Sequence, residues 1–162
     1  MDDPASFLVI GLGNEFRGDD GCGPLVARKI SQKRLAGVRL IHPMADSTGL
    51  VMEWDGADAT FLIDCVCSGA PPGTIHRFEP LVETIPEQLS HPTSTHRFGL
   101  TQVVRLAQAL GRLPQRLIVY GIEGQEFEHG TEITRAVAEA VNEVADRIAN
   151  ELALLAAGLR HD

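Results

Sequence analysis

The sequence predicts a single α/β domain built on a largely parallel sheet, and three observations carry that expectation. Short apolar runs alternate with helix-like stretches along the chain, the pattern that strand–helix–strand units produce. The run TFLI at 60–63 is β-branched and aromatic with no polar alternation, as a strand covered on both faces requires. At 162 residues, 44% hydrophobic and 22% charged, the chain is long enough for one core and short for two, so residues 1–162 are expected to fold as one domain. No repeat, low-complexity tract or polar linker divides it.

Residues 7–11 read as the first buried strand. Residues 24–33 follow as a helix that opens on Pro24, tolerated in a first turn because its missing N–H has no partner there. A second strand is expected at 38–42, a short helix at 49–54, and the central strand at 60–63, with Asp64 ending the run. Residues 74–78 form a further strand and 80–94 an irregular segment. Residues 99–110 make a helix with Leu100, Val103, Val104, Ala107 and Leu110 on one side. The last strand is 117–122. In the final helix, 131–159, Ile133, Val137, Val141, Val144, Ile148, Leu152 and Leu155 recur at steps of four and three. Such a stripe is expected to close one face of the sheet.

Charge and composition then exclude several classes of function. With 14 basic and 22 acidic residues the net charge is −8, and a surface of that sign releases no counterions from nucleic acid. The start MDDPASFLVIGLG is acidic, with an apolar run only from 7 to 12, which is neither a signal peptide nor the ~20 apolar residues of a membrane span. The three cysteines, Cys22, Cys65 and Cys67, are odd in number and spaced unlike a disulfide framework. The expectation is a cytoplasmic protein without membrane or nucleic-acid partners.

Ligands of such sheets sit beyond the carboxyl ends of the strands, so candidate chemistry is sought there. The first strand runs into GLGNEFRGDDGCG (11–23). Gly11 and Gly13 match a dinucleotide loop, but Phe16 stands where the third glycine belongs, and His42 and Pro43 stand where an acid would hold a ribose. The lysine of a phosphate-binding loop is absent too. The adjacent Asp19 and Asp20 diverge, so one is expected to face the crevice while the other caps or orients. Asp64 follows a wholly apolar run, a costly place for a carboxylate unless it is solvated, hydrogen-bonded or bound to metal. His96, in HPTSTHRFGL, precedes the helix at 99. Two carboxylates and an imidazole make a ligand set suited to zinc, nickel or another borderline divalent metal with open positions. Cys65 and Cys67 alternate away from Asp64 and are expected to pack. No HExxH helix and no GxSxG elbow is present.

The segments GLGNEFRGDDGCG (11–23), GADATFLIDCV (56–66), PPGTIHRF (71–78), STHRFGL (94–100) and GIEGQEFEHGTEITRAVAEAV (121–141) together resemble the nickel-iron hydrogenase maturation endopeptidases, in order and over nearly the whole chain. The resemblance implies a three-layer αβα sandwich with a twisted, mostly parallel five-stranded sheet. It implies an endopeptidase that removes a C-terminal extension from the large-subunit precursor of a hydrogenase once nickel is in place. The family's metal-contacting positions fall on Asp20, Asp64 and His96. The chain departs from the family in HPMADSTGL (42–50), where Asp46 is displaced by about two positions and reads as a turn cap.

The expected chemistry is peptide hydrolysis in which the precursor's own nickel, engaged by Asp20, Asp64 and His96, polarises the carbonyl and activates water. Asp19, or a carboxylate freed from the metal, is the candidate general base. A resident zinc in the same three-ligand site is the conventional alternative. A non-catalytic, nickel-dependent checkpoint protein is the alternative from a different class.

Overall fold

The computed structural model describes residues 6–41, 47–86, 89 and 100–159. Five strands, β1 (Phe7–Gly11), β2 (Val38–Ile41), β3 (Ala59–Val66), β4 (Ile75–Phe78) and β5 (Leu117–Glu123), form one sheet in the order β2-β1-β3-β5-β4. All neighbours are parallel except β4, which runs antiparallel along β5. Among the described residues the α-helices are α1 (Cys22–Gln32), α2 (Ser47–Trp54), α3 (Leu100–Leu110) and α4 (Arg135–Leu159), and a 3-10 turn at Gly18–Gly21 precedes α1.

Strand alternation sorts the apolar residues into two cores. Phe7, Val9, Phe61, Ile63, Ile118 and Tyr120 face α1 and α4, where Val26, Ile30, Val141, Val144 and Ile148 are buried against them. Leu8, Ile10, Leu62 and Val119 face α2 and α3, packing with Leu50, Val51, Trp54, Val103, Val104 and Ala107. The result is the expected αβα sandwich. The runs without polar alternation are the central strands: every residue of β1 and β5 is buried, whereas the edge strand β2 is only half-buried. Among the described residues, no helix is long and apolar enough to cross a membrane.

The differences from expectation lie at element ends. β3 continues past Asp64 to Val66, because Asp64, Cys65 and Val66 pair in register with Gly121, Ile122 and Glu123 of an equally extended β5. Asp64 therefore sits within the strand. α1 begins at Cys22, two residues before its proline. α4 begins at Arg135 and not near 131, because Thr134 is held outside it by hydrogen bonds to Asp19 and Gly130 turns the chain with a φ of 83°. Position 42 and most of the segment expected to be irregular beyond 86 lie outside the described residues.

Candidate functional site

The loop from β1 into α1 is packed too closely for side chains at its glycines. A Cβ on Gly23 would stand 2.1 Å from the Leu12 carbonyl oxygen and 2.7 Å from that of Ile63, and one on Gly11 would stand 2.3 Å from the Gly23 oxygen. Helix α1 is thereby pressed onto the carboxyl ends of β1 and β3, and the Leu12 N–H donates to the Ile63 carbonyl across the gap at 2.8 Å. Gly13, at a φ of 126°, lets the chain fold back until a Cβ would lie 1.9 Å from the Asp20 carbonyl oxygen. The glycines of this loop thus serve close backbone approach. Phe16, the residue that broke the dinucleotide pattern, is 68% exposed.

Both acids of the loop are buried, and they do different things. Asp19 Oδ2 accepts the N–H groups of Gln125 at 2.8 Å and Glu126 at 3.0 Å, and its Oδ1 accepts the Thr134 N–H at 2.7 Å and hydroxyl at 2.9 Å. It ties the loop to the segment between β5 and α4, as do main-chain bonds from Gly18 to Thr131 and from Asp19 to Glu126. Of the pair, Asp19 is the one that orients. The general-base role considered for it does not suit a carboxylate whose two oxygens are engaged by donors and cut off from water. Asp20, 1% exposed, accepts the Asn14 N–H on Oδ2 at 2.9 Å, and the Asn14 side chain in turn accepts the Phe16 N–H at 2.9 Å.

Asp64 is half-buried on β3, and its Oδ1 accepts the N–H of Cys65 at 2.8 Å. Asp20 and Asp64 both act electrostatically on two nearby thiols. The Cys22 thiol is pushed well up by its hydrogen bond with Cys65, then by burial and the Cys65 charge, with further contributions from Asp64 and Asp20. Cys67 is raised by burial first, then by Cys65, Glu123, Asp20 and Asp64. Cys65 packs as expected, fully buried beside Cys22. Cys67 does not: it is exposed, because β3 ends at Val66 and alternation no longer directs it.

His96 and Asp46 lie outside the described residues, so of the expected ligand set the structure describes Asp20 and Asp64. Among the described residues, no three His, Cys, Asp or Glu side chains converge as a metal-binding group.

Sequence reasoning missed Glu123. It is 1% exposed, ends β5, and accepts hydrogen bonds from the Ser68 N–H at 3.1 Å, from the Ser68 hydroxyl, and from His76 Nε2 at 3.0 Å. The signal was the one used for Asp64, an acid directly after an apolar run. It was lost because the strand was expected to stop at 122.

An open α/β sheet with buried or half-buried acids near the carboxyl ends of its central strands is the architecture of a protein whose site lies in the crevice beyond those ends. The comparisons with known proteins specify it further. The hydrogenase maturation protease family matches residues 26–151, and the chain belongs to that family. The hydrogenase expression/formation protein HoxM of Cupriavidus necator is 27% identical over 149 residues, 90% of this chain and 73% of that one. The hydrogenase 2 maturation peptidase of a Thaumarchaeota archaeon is 27% identical with a TM-score of 0.66, covering 91% of this chain and 97% of the other. The hydrogenase maturating endopeptidase HybD of Escherichia coli has the same fold, with a TM-score of 0.78 over 91% of each chain at 20% identity.

Proposed function

We propose that the chain is a cytoplasmic endopeptidase that removes a C-terminal extension from the nickel-loaded large-subunit precursor of a nickel-iron hydrogenase. The observation that carries this reading is Asp64 near the carboxyl end of β3, with Asp20 in the loop that leaves the adjacent strand β1, in a chain of the maturation protease family. The precursor's nickel is treated as part of the substrate. Asp20, Asp64 and His96 engage it, so the cleavable bond is delivered in register with the metal that marks it as ready. A Lewis acid at that point polarises the scissile carbonyl and lowers the pKa of attacking water without a protein nucleophile. Asp20 is held by Asn14 and Asp64 by the Cys65 N–H, so both approach the metal pre-positioned. Asp19 keeps the loop in place.

The test is incubation of nickel-loaded and nickel-free precursor with this protein, followed by intact mass. The loaded precursor is expected to lose its tail and the nickel-free one to keep it; a loaded precursor that stays full-length overturns the reading. Asp20→Ala, Asp64→Ala and His96→Ala are each expected to abolish tail loss while the fold persists. Metal analysis separates this scheme from a resident zinc: the purified protein is expected to carry far less than one tightly bound metal ion per chain.

A further inference from the structure

The loop between β1 and α1 holds an aromatic ring out into solvent close to Asp20. Phe16 is 68% exposed, while every other aromatic side chain among the described residues is buried or half-buried. A ring left in water forgoes the apolar burial that stabilises the rest. Single exposed aliphatic side chains are ordinary on any surface, and Met52, Val82, Leu110 and Leu154 are of that kind. Phe16 differs from them in how it is held and in where it stands.

The main chain under the ring is clamped on both sides. The Phe16 N–H donates to the Asn14 side chain at 2.9 Å, and its carbonyl accepts the Gly130 N–H at 2.8 Å. Two residues on, the Gly18 N–H donates to the Thr131 carbonyl at 3.1 Å, and a Cβ on Gly18 would lie 2.5 Å from the Glu126 carbonyl oxygen. The charges flanking the ring are engaged elsewhere: Glu15 pairs with Arg28 at 2.7 Å, and Arg17 Nε donates to the Phe127 carbonyl at 3.2 Å. An aromatic side chain on a fixed backbone has little conformational freedom to lose on contact, the property that makes such rings anchors of protein interfaces.

The same hydrogen bonds set its distance from the site. The Asn14 N–H donates to Asp20 Oδ2 and the Asn14 Oδ1 accepts the Phe16 N–H, each at 2.9 Å. With a single asparagine between them, the Phe16 nitrogen lies within about 10 Å of the Asp20 carboxylate. A standard protein interface covers about 800 Å² on each partner, a patch of about 16 Å radius. A folded protein that brings a metal to Asp20 therefore lays its own surface over Phe16.

We propose that Phe16 is a docking residue for the hydrogenase large-subunit precursor, its ring entering an apolar recess on the precursor beside the nickel that Asp20 and Asp64 engage. The inference rests on the peptidase reading above and deepens it. The occupant is the precursor and not a second copy of this chain, because a dimer closed over a ring so near Asp20 would block the crevice that the precursor has to enter. The ring touches no reacting atom, so its contact is the same before and during bond cleavage and acts on affinity, not on the rate at saturation.

The experiment is a single-turnover series at increasing concentrations of nickel-loaded precursor, read by intact mass, on wild type, Phe16→Ser and Phe16→Leu, with the urea midpoint and the sedimentation of each protein alone. Phe16→Ser is expected to raise the half-saturating concentration by about tenfold or more, with the rate at saturation unchanged within about twofold and the urea midpoint unchanged. Phe16→Leu keeps an apolar side chain and is expected to fall between wild type and Phe16→Ser. A Phe16→Ser variant that half-saturates as wild type does overturns the proposal, and so does one that loses rate at saturation or urea midpoint, which marks the residue as structural. Wild type that sediments as a dimer where Phe16→Ser is a monomer assigns the ring to a second copy and overturns the choice of occupant. Wild type that leaves the loaded precursor full-length overturns the peptidase reading itself, and this inference with it.

Discussion

Asp19 has no exposed surface, yet it keeps a carboxylate inside the protein because the loop, the strand end and the start of α4 all present donors to it. A buried charge is tolerable only with such partners, and breaking the set is expensive because three main-chain N–H groups are left without acceptors. Asp19→Ala is expected to lower unfolding stability by about 3 kcal/mol or more, read as the urea midpoint. Thr60 presents the opposite case. Its hydroxyl is buried with no hydrogen-bond partner among the described residues, so Thr60→Val, close in shape, is expected to raise stability by about 1 kcal/mol. A lower midpoint in that variant contradicts this. Tyr120 sets a pH limit. Burial, followed by its hydrogen bond to Glu151, pushes the phenol up to about 12, against ~10 for an unfolded tyrosine. The folded state therefore holds the proton more tightly than the unfolded one. That contribution is complete below pH ~10 and is lost as the pH rises toward 12. Denaturant titrations across this window are expected to show a loss of about 2 kcal/mol in wild type that Tyr120→Phe lacks.

Among the elements, the close seating of α1 on the strand ends rests on backbone contact at Gly11 and Gly23. Gly23→Ala would drive a methyl into two carbonyl oxygens, and neither carbonyl can yield without parting the Leu12–Ile63 hydrogen bond. The expected cost is about 2–3 kcal/mol, with loss of activity exceeding loss of stability because the Asp20 loop moves with the helix; a variant with wild-type midpoint and rate refutes this. The strands were legible because a strand buried on both faces admits no polar residue, and TFLI and LIVYGI leave no other reading. Their ends were not. Asp64 and Glu123 look like terminators in a linear reading, whereas in the sheet they pair with Gly121 and Val66 and continue it. The start of α4 was misjudged for a related reason: 131–134 has acceptable helix composition, and only the distant Asp19 claims Thr134 for another bond.

For the molecule as a whole, the three cysteines offer a compact check on the arrangement. Cys22 and Cys65 are buried side by side, and Cys67 is exposed. Native protein treated with iodoacetamide is expected to gain one adduct, at Cys67, slowly because its thiol is raised; denatured protein is expected to gain three. Rapid labelling of all three in native conditions would mean that the core between the sheet and helices α1 and α4 is open. The sequence by itself determined the α/β class, the two-faced burial of the central strands, the stripe of α4, and the acids at 20 and 64, because each of these is a local pattern of polarity and spacing. Spacing alone left Asp19 and Asp20 as one acid that orients and one that faces the crevice, and the family resemblance pointed to Asp20 for the metal. Only the tertiary structure shows Asp19 tying the loop to the segment before α4, and only it brought Ser68, His76 and Glu123 into one hydrogen-bonded group. Those roles depend on which donors reach a given oxygen, and the donors come from segments 47 to 115 residues away. Chain spacing carries no information about such distances; the register of β3, β5 and β4 supplies it.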